Sequence, residues 1–196
     1  GRAQAAQAEA AGVEATADMN PVLLKPEADA RSQLVVLGKA VGRVSAREHW
    51  NGRRELWPVV AGALRRLRAA FDVVVIEGAG SPAELNLRRS DITNMRVARA
   101  ARAAVLLVGD IERGGIFAQL LGTLALLPAR DRALVRGLVV NKFRGDPALF
   151  REGVRILRRR SGLPVLGVLP YAAALGVPAE DSLDLERASV GSGPID

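Results

Sequence analysis

An acidic residue and a glycine turn, Glu77-Gly78-Ala79-Gly80, directly follow the β-branched run at 73–76. Such a run reads as a strand buried on both faces of a parallel sheet. A carboxylate at the carboxyl end of that strand, with glycines that let backbone approach a ligand closely, is how open α/β sheets hold metals and phosphates. For this stretch alone the alternative is a tight strand-to-loop turn with a solvated Glu77. The pattern recurs along the chain. An apolar run at 104–108 ends in Gly109 and Asp110, after which Arg113-Gly114-Gly115 opens a helix. A run at 138–140 ends in Asn141, Lys142 and Phe143, and a run at 165–169 ends in Pro170 and Tyr171. These polar strand ends are expected along one edge of one sheet, and that edge is the candidate site.

Phosphate chemistry on such a sheet normally uses a glycine-rich loop ending in Gly-Lys-Ser or Gly-Lys-Thr, whose amides cradle the phosphates. No such sequence occurs here. Gly38-Lys39 comes nearest, but Ala40 follows where a hydroxyl would hold magnesium. Asn141-Lys142 resembles the pair that reads a base in nucleotide-binding folds, since an amide donates and accepts at once against a purine edge. Its alternative is an Asn that caps the loop at the strand end.

The elements that must position these residues follow from periodicity. Alanine and glutamine favour a helix over residues 2–11, with Gly12 as its stop. Asn20-Pro21 opens an extended stretch leading to a short strand at 34–37. Leu56, Val60, Ala63, Leu64 and Leu67 recur at helical spacing within 53–70, with arginines outward. Further helices are expected from Asp91, Gly115 and Pro147, the last announced by Asp146-Pro147, a capping carboxylate followed by proline. Strands alternating with helices predict an α/β fold with a mainly parallel sheet and flanking helices. Residues 187–196 lose periodicity and read as a linker.

Composition narrows the class. The 196 residues suit a single core, with 49% apolar residues. No apolar run of about 18 residues suggests a membrane span, and no signal-peptide pattern opens the chain, so the cytoplasm is expected. With no cysteine and only His49, disulfides, thiolate metal sites and a zinc site are excluded; His49 is expected on the surface ahead of a helix. The net charge of +7 is mostly dispersed arginine, its densest run at 158–160 suits a helix C-terminus, and 4% aromatics give no base-stacking platform. Specific nucleic-acid binding is therefore not expected.

Five segments, in order, carry a family resemblance: MNPVLLKPEADARSQLVVLGK, IEGAGSPAELNLRRSDITNM, VGDIERGGIFAQLLGTLALL, NKFRGD, and LPY with DSLDLE. Together they resemble the synthetase domain of the cobyric acid synthase family. The resemblance implies a P-loop NTPase-like fold of the dethiobiotin synthetase kind. It also implies ATP- and glutamine-dependent amidation of peripheral carboxylates of adenosylcobyrinic acid a,c-diamide, a corrinoid, in cobalamin biosynthesis. On that resemblance Glu77 is the magnesium-binding carboxylate and Asn141, with Lys142, reads the adenine of ATP. Gly78 and Gly80 allow close approach. Asp110 has a catalytic or substrate role, and Asp91 to Asn94 with the SPAELNL loop face the corrin. For Asp91 the plainer alternative is a helix cap.

The resemblance further implies a first strand and phosphate loop missing before residue 1. Residues 1–186 are then a partial synthetase domain, and 187–196 lead toward an absent glutamine amidotransferase domain that supplies ammonia. On this reading the fragment alone is inactive, and the lost strand leaves exposed sheet edges prone to aggregation. A homo-oligomer stays open. Competing readings are a non-catalytic or partitioning-type nucleotide-binding relative of the same fold, and a plain interaction domain.

Overall fold

The computed structural model describes residues 2–26 and 31–172. The DSLDLE segment and the 187–196 linker lie outside the described residues. Helix α1 (Arg2–Ala10) is the expected alanine-rich helix, stopped by Gly12 at φ +67°. A 3₁₀ turn at Ala17–Met19 follows, and its Asp18 pairs with Arg66 at 2.6 Å.

The chain then builds an antiparallel meander of β1 (Val22–Pro26), β2 (Arg31–Val36) and β3 (Lys39–Ser45), in spatial order β1-β2-β3. The expected strand at 34–37 is thus one part of a second, antiparallel sheet. Leu37 leaves the strand and makes the turn with Gly38, both at positive φ (45° and 78°), as a two-residue type I′ hairpin requires. Helix α2 (Ala46–Ala70) begins at Ala46 and not at Arg53, so His49 falls within the helix instead of ahead of it; Pro58 lies inside it too. Val60, Ala63 and Leu64 are buried as their spacing predicts.

The buried strand expected at 73–76 does not form. These residues pair with no strand among the described residues, and Val73 and Val75 are 79% and 93% exposed. The residue types suit a strand, but a strand exists only where a neighbour completes its hydrogen-bond ladder, and none is present here.

After α3 (Met95–Ala101) comes the parallel sheet: β4 (Val105–Asp110), α4 (Ile116–Leu126), α5 (Ala129–Arg132), β5 (Val135–Phe143), α6 (Arg151–Ser161) and β6 (Val165–Pro170). Strand order is β4-β5-β6. One face of this sheet packs on α4 and α6 through Ile116, Leu120, Leu124, Leu138, Val140 and Leu157, each buried. A fully buried aliphatic side chain of this size contributes about 1.5–3 kcal/mol. The opposite face is open: Leu106, Val108, Leu166 and Leu169 are about half exposed. A second cluster, Val60, Leu64, Ile92 and Val97, joins α2 to α3 and takes in Val22 of the meander. The expected single edge therefore holds for the ends of β4, β5 and β6, while 73–76 stands outside the sheet. No helix among the described residues is long and apolar enough to cross a membrane.

Candidate functional site

The glycine turn is held from behind. Gly78 packs so closely on Asn94 that a Cβ there would come 2.1 Å from Asn94 Oδ1. The same amide grips Ala79 on both sides: Ala79 N donates to Oδ1 at 3.1 Å, and Nδ2 donates to Ala79 O at 2.7 Å. Gly80 adopts φ +64°, a conformation L side chains avoid. Asp91 in turn fixes Asn94. Its Oδ1 accepts from the backbone N–H of Thr93 (2.9 Å) and Asn94 (2.8 Å), and its Oδ2 from that of Arg96 (3.0 Å). Asp91 thus organises the start of α3, a positional task that agrees with its reading as a cap. Glu77, ahead of the turn, is exposed and accepts a 2.8 Å bond from Gln7 Nε2 of α1.

The parallel sheet brings Asp110, Asn141 and Lys142 together. Asp110 stands opposite Asn141 in the β4–β5 register. Its Oδ1 accepts from Glu112 N at 3.0 Å, and its Oδ2 accepts from Lys142 Nζ at 3.0 Å, with Arg113 Nε at 3.7 Å. The Lys142 hydrogen bond holds the Asp110 carboxyl below its ordinary value. Burial opposes that shift, and the Glu112 amide and the nearby cations assist it. Lys142 reaches this position from a left-handed backbone, φ 60°. Asn141 Oδ1 accepts from Lys142 N at 2.9 Å, so the amide is oriented by its own strand end. Beside this group Arg144 donates to Glu112 Oε1 at 2.6 Å and lies over the Tyr171 ring at 3.5 Å, tying the ends of β4, β5 and β6 to one another.

A cleft of about 310 Å³ opens beside the glycine turn. Ala79, Gly80, Asp91 and Asn94 border it on one side, and Arg99, Arg130 and Asp131 on the other. Asp131 is 2% exposed and pairs through Oδ1 with Arg99 at 2.5 Å. Gln7, Arg99 and Asp131 did not stand out in the sequence, and Glu112 and Arg144 lay within the segments VGDIERGGIFAQLLGTLALL and NKFRGD without a role of their own. Gln7 and Glu77 are 70 positions apart, and Arg99 and Asp131 are 32 apart, so only the folded chain unites them. Among Gln7, Arg99 and Asp131, only Asp131 left a trace, an acidic residue in the first turn after Pro128.

Residues 5–179 match the profile of the AAA domain family. The chain belongs to the AAA domain family. Over its whole length it is 58% identical to the cobyric acid synthase of Sorangium cellulosum, covering 38% of that protein. It is 56% identical to that of Chloroflexus aurantiacus over 96% of the chain and 39% of the relative. The identity to that of Desulforudis audaxviator is also 56%, over all of the chain and 40% of the relative. The resemblance read from the five segments therefore extends across the chain, and the chain spans about two-fifths of the length of these curated relatives. No solved structure matches it significantly.

For an AAA domain the expected ligands are a nucleotide and its metal, and the residues present fit them in part. Magnesium is usually held by one or two carboxylates together with substrate phosphates and water. A single exposed carboxylate, Glu77, beside a glycine turn suits that sparse requirement. No cluster of carboxylates or imidazoles able to form a complete metal site by itself exists among the described residues. Asn141, its Oδ1 oriented and its Nδ2 without a partner among the described residues, suits a base edge. In this AAA domain Asp110, Asn141 and Lys142 are joined by direct contacts, as are Asp91 and the Gly78–Gly80 turn through Asn94. Glu77 adjoins the glycine turn in sequence, but its side chain bonds Gln7, and no side-chain hydrogen bond among the described residues joins it to either group.

Proposed function

We propose that this chain is part of a cobyric acid synthase, which uses ATP and glutamine to convert peripheral carboxylates of adenosylcobyrinic acid a,c-diamide into carboxamides. The observation that carries the reading is the match of the whole of this chain to about two-fifths of proteins of that name, at 58% identity with the Sorangium relative. A carboxylate at a glycine turn and a charged group at the sheet edge support it.

Glu77 is the magnesium ligand, and Gly78 and Gly80 keep the backbone beside it low. Magnesium, when bound, would offset the charge that builds up as a phosphoryl group passes to a weak carboxylate nucleophile. Asn141 reads the adenine. Lys142 keeps Asp110 ionised at the sheet edge, where Asp110 accepts hydrogen bonds from incoming ammonia and holds the Lys142 ammonium beside the substrate carboxylate. Asp91 acts by position, through Asn94. Ammonia release from glutamine by a cysteine nucleophile needs a residue type these 196 positions lack, so that step belongs to another domain. We read residues 1–186 as belonging to the synthetase domain, and the protein as cytoplasmic.

Thermal shift with ATP and magnesium tests this reading. It compares residues 1–196 with a protein extended to the length of the relatives, called the extended protein below, each with and without Glu77→Ala. Stabilisation of the extended protein that disappears in Glu77→Ala is the expected result. A well-folded extended protein indifferent to ATP and magnesium would refute the nucleotide assignment.

A further inference from the structure

We infer that the cleft between the 79–88 loop and the Arg99–Asp131 pair is a carboxamide-reading subsite, which holds an amide side chain of the substrate and leaves its carboxylates to the strand ends. The inference rests on the amide-ligase reading above and assigns it a specificity pocket.

Asp131 is 2% exposed, yet only Oδ1 has a partner among the described residues; Oδ2 has none. A buried carboxylate oxygen without a donor is unusual, because a buried polar group keeps its desolvation penalty unless it is hydrogen-bonded. Asp131 lines a cleft of about 310 Å³, ample for a short side chain and its planar head. The guanidinium of Arg99 sits on the same carboxylate, 35% exposed, and that of Arg130 lies 3.9 Å away. A guanidinium only donates and an ionised carboxylate only accepts.

An acceptor beside donors, with their charges paired, selects a neutral head carrying both functions on adjacent atoms. A primary carboxamide is such a head: its N–H₂ donates to Asp131 Oδ2 and its oxygen accepts from arginine. A carboxylate gains from the arginines but meets the Asp131 charge, and an ammonium meets the reverse conflict. The lining also holds Asp91, engaged with backbone N–H groups, the exposed Glu84, and Arg88, which donates to Leu126 O; three acids thus face three arginines, and the balance stays neutral. Ala79 and Gly80, which line the cleft, follow Glu77 in the chain, so a substrate anchored here by an amide would lie beside the proposed magnesium ligand.

Ligand-detected saturation-transfer NMR on the extended protein, with propanamide and propanoate as probes and no nucleotide added, tests the assignment. Transfer to propanamide is expected at about fivefold or more that to propanoate, roughly what one added hydrogen bond gives. In Asp131→Asn the order should invert, because Arg99 then stands uncompensated; a pair that merely braces α3 against α5 would not change ligand preference. Glu84→Trp, an exposed substitution that fills the mouth and spares the ion pair, should remove the signal, and it serves if Asp131→Asn does not fold. Equal or stronger transfer to propanoate in the unaltered protein, transfer to neither probe in folded protein, or a signal untouched by Glu84→Trp would each overturn the inference. Because nucleotide is absent throughout, failure here is separate from failure of the ATP assignment.

Discussion

Gly78 and Gly80 stand two positions apart and are required for different reasons. At Gly78 the obstacle is a neighbour, Asn94 Oδ1, 2.1 Å from where a Cβ would lie. Gly78→Ala must displace an amide that grips Ala79, and overpacking of this kind costs about 1–3 kcal/mol. At Gly80 the space is open and the obstacle is φ +64°, so Gly80→Ala costs about 1–2 kcal/mol while Gly80→Asn recovers most of it. Thermal melts of the extended protein should show asparagine rescuing Gly80 alone; rescue at both sites would contradict the distinction. Lys142 and Asp110 yield a prediction in pH. The native Asp110 carboxyl lies below its unfolded value because of Lys142, so its contribution is present above the ordinary aspartate range and is lost as pH falls through the lowered native value. In Lys142→Met that native value rises, and the acid-unfolding midpoint should move to higher pH. An unchanged midpoint would show that the ion pair contributes nothing. Residue types alone located Asp110 and Asn141 at strand ends, whereas Glu77 follows a segment that forms no strand. They could not show that Asp91 is engaged by backbone amides or that Lys142 bonds Asp110, since neither is encoded in local spacing.

At the scale of elements, the legible parts were those whose pattern is complete within a few turns of chain. Helices α4 and α6 show helical periodicity, and Asp146 caps the turn before α6 as its place ahead of Pro147 implied, accepting from Ala148 N at 2.8 Å. The meander was hidden because Pro21 and Pro26 bracket β1, and its turn carries Leu37 where asparagine usually signals a hairpin. Leu37→Asn should therefore stabilise the β2–β3 hairpin by about 1 kcal/mol, since asparagine tolerates the left-handed region. Slower hydrogen exchange at the β2 and β3 amides would report it, and faster exchange would rule it out. The stretch at 73–76 teaches the converse. Its residues have strand propensity, but no adjacent segment completes the ladder, and propensity without a partner leaves an extended, exposed chain.

For the molecule as a whole, the open face of the parallel sheet is the feature that departs most from expectation, because parallel sheets are normally covered on both sides. With Leu106, Val108, Leu166 and Leu169 about half exposed, residues 1–196 alone should bind the dye ANS and self-associate. Leu106→Lys together with Leu166→Glu should reduce the association, read by light scattering, and the extended protein should bind far less dye. A monomeric, dye-silent 1–196 would contradict this. The two hydrophobic clusters carry a thermodynamic consequence. They share no buried residue, and α3, seven residues long, serves both: Met95 and Ala98 face one, Val97 and Ala101 the other. Cooperativity between the two halves must then pass largely through two turns of helix. Scanning calorimetry should resolve two heat-absorption peaks, with a van't Hoff enthalpy below the calorimetric one, and the meander half, holding the smaller cluster, should melt first.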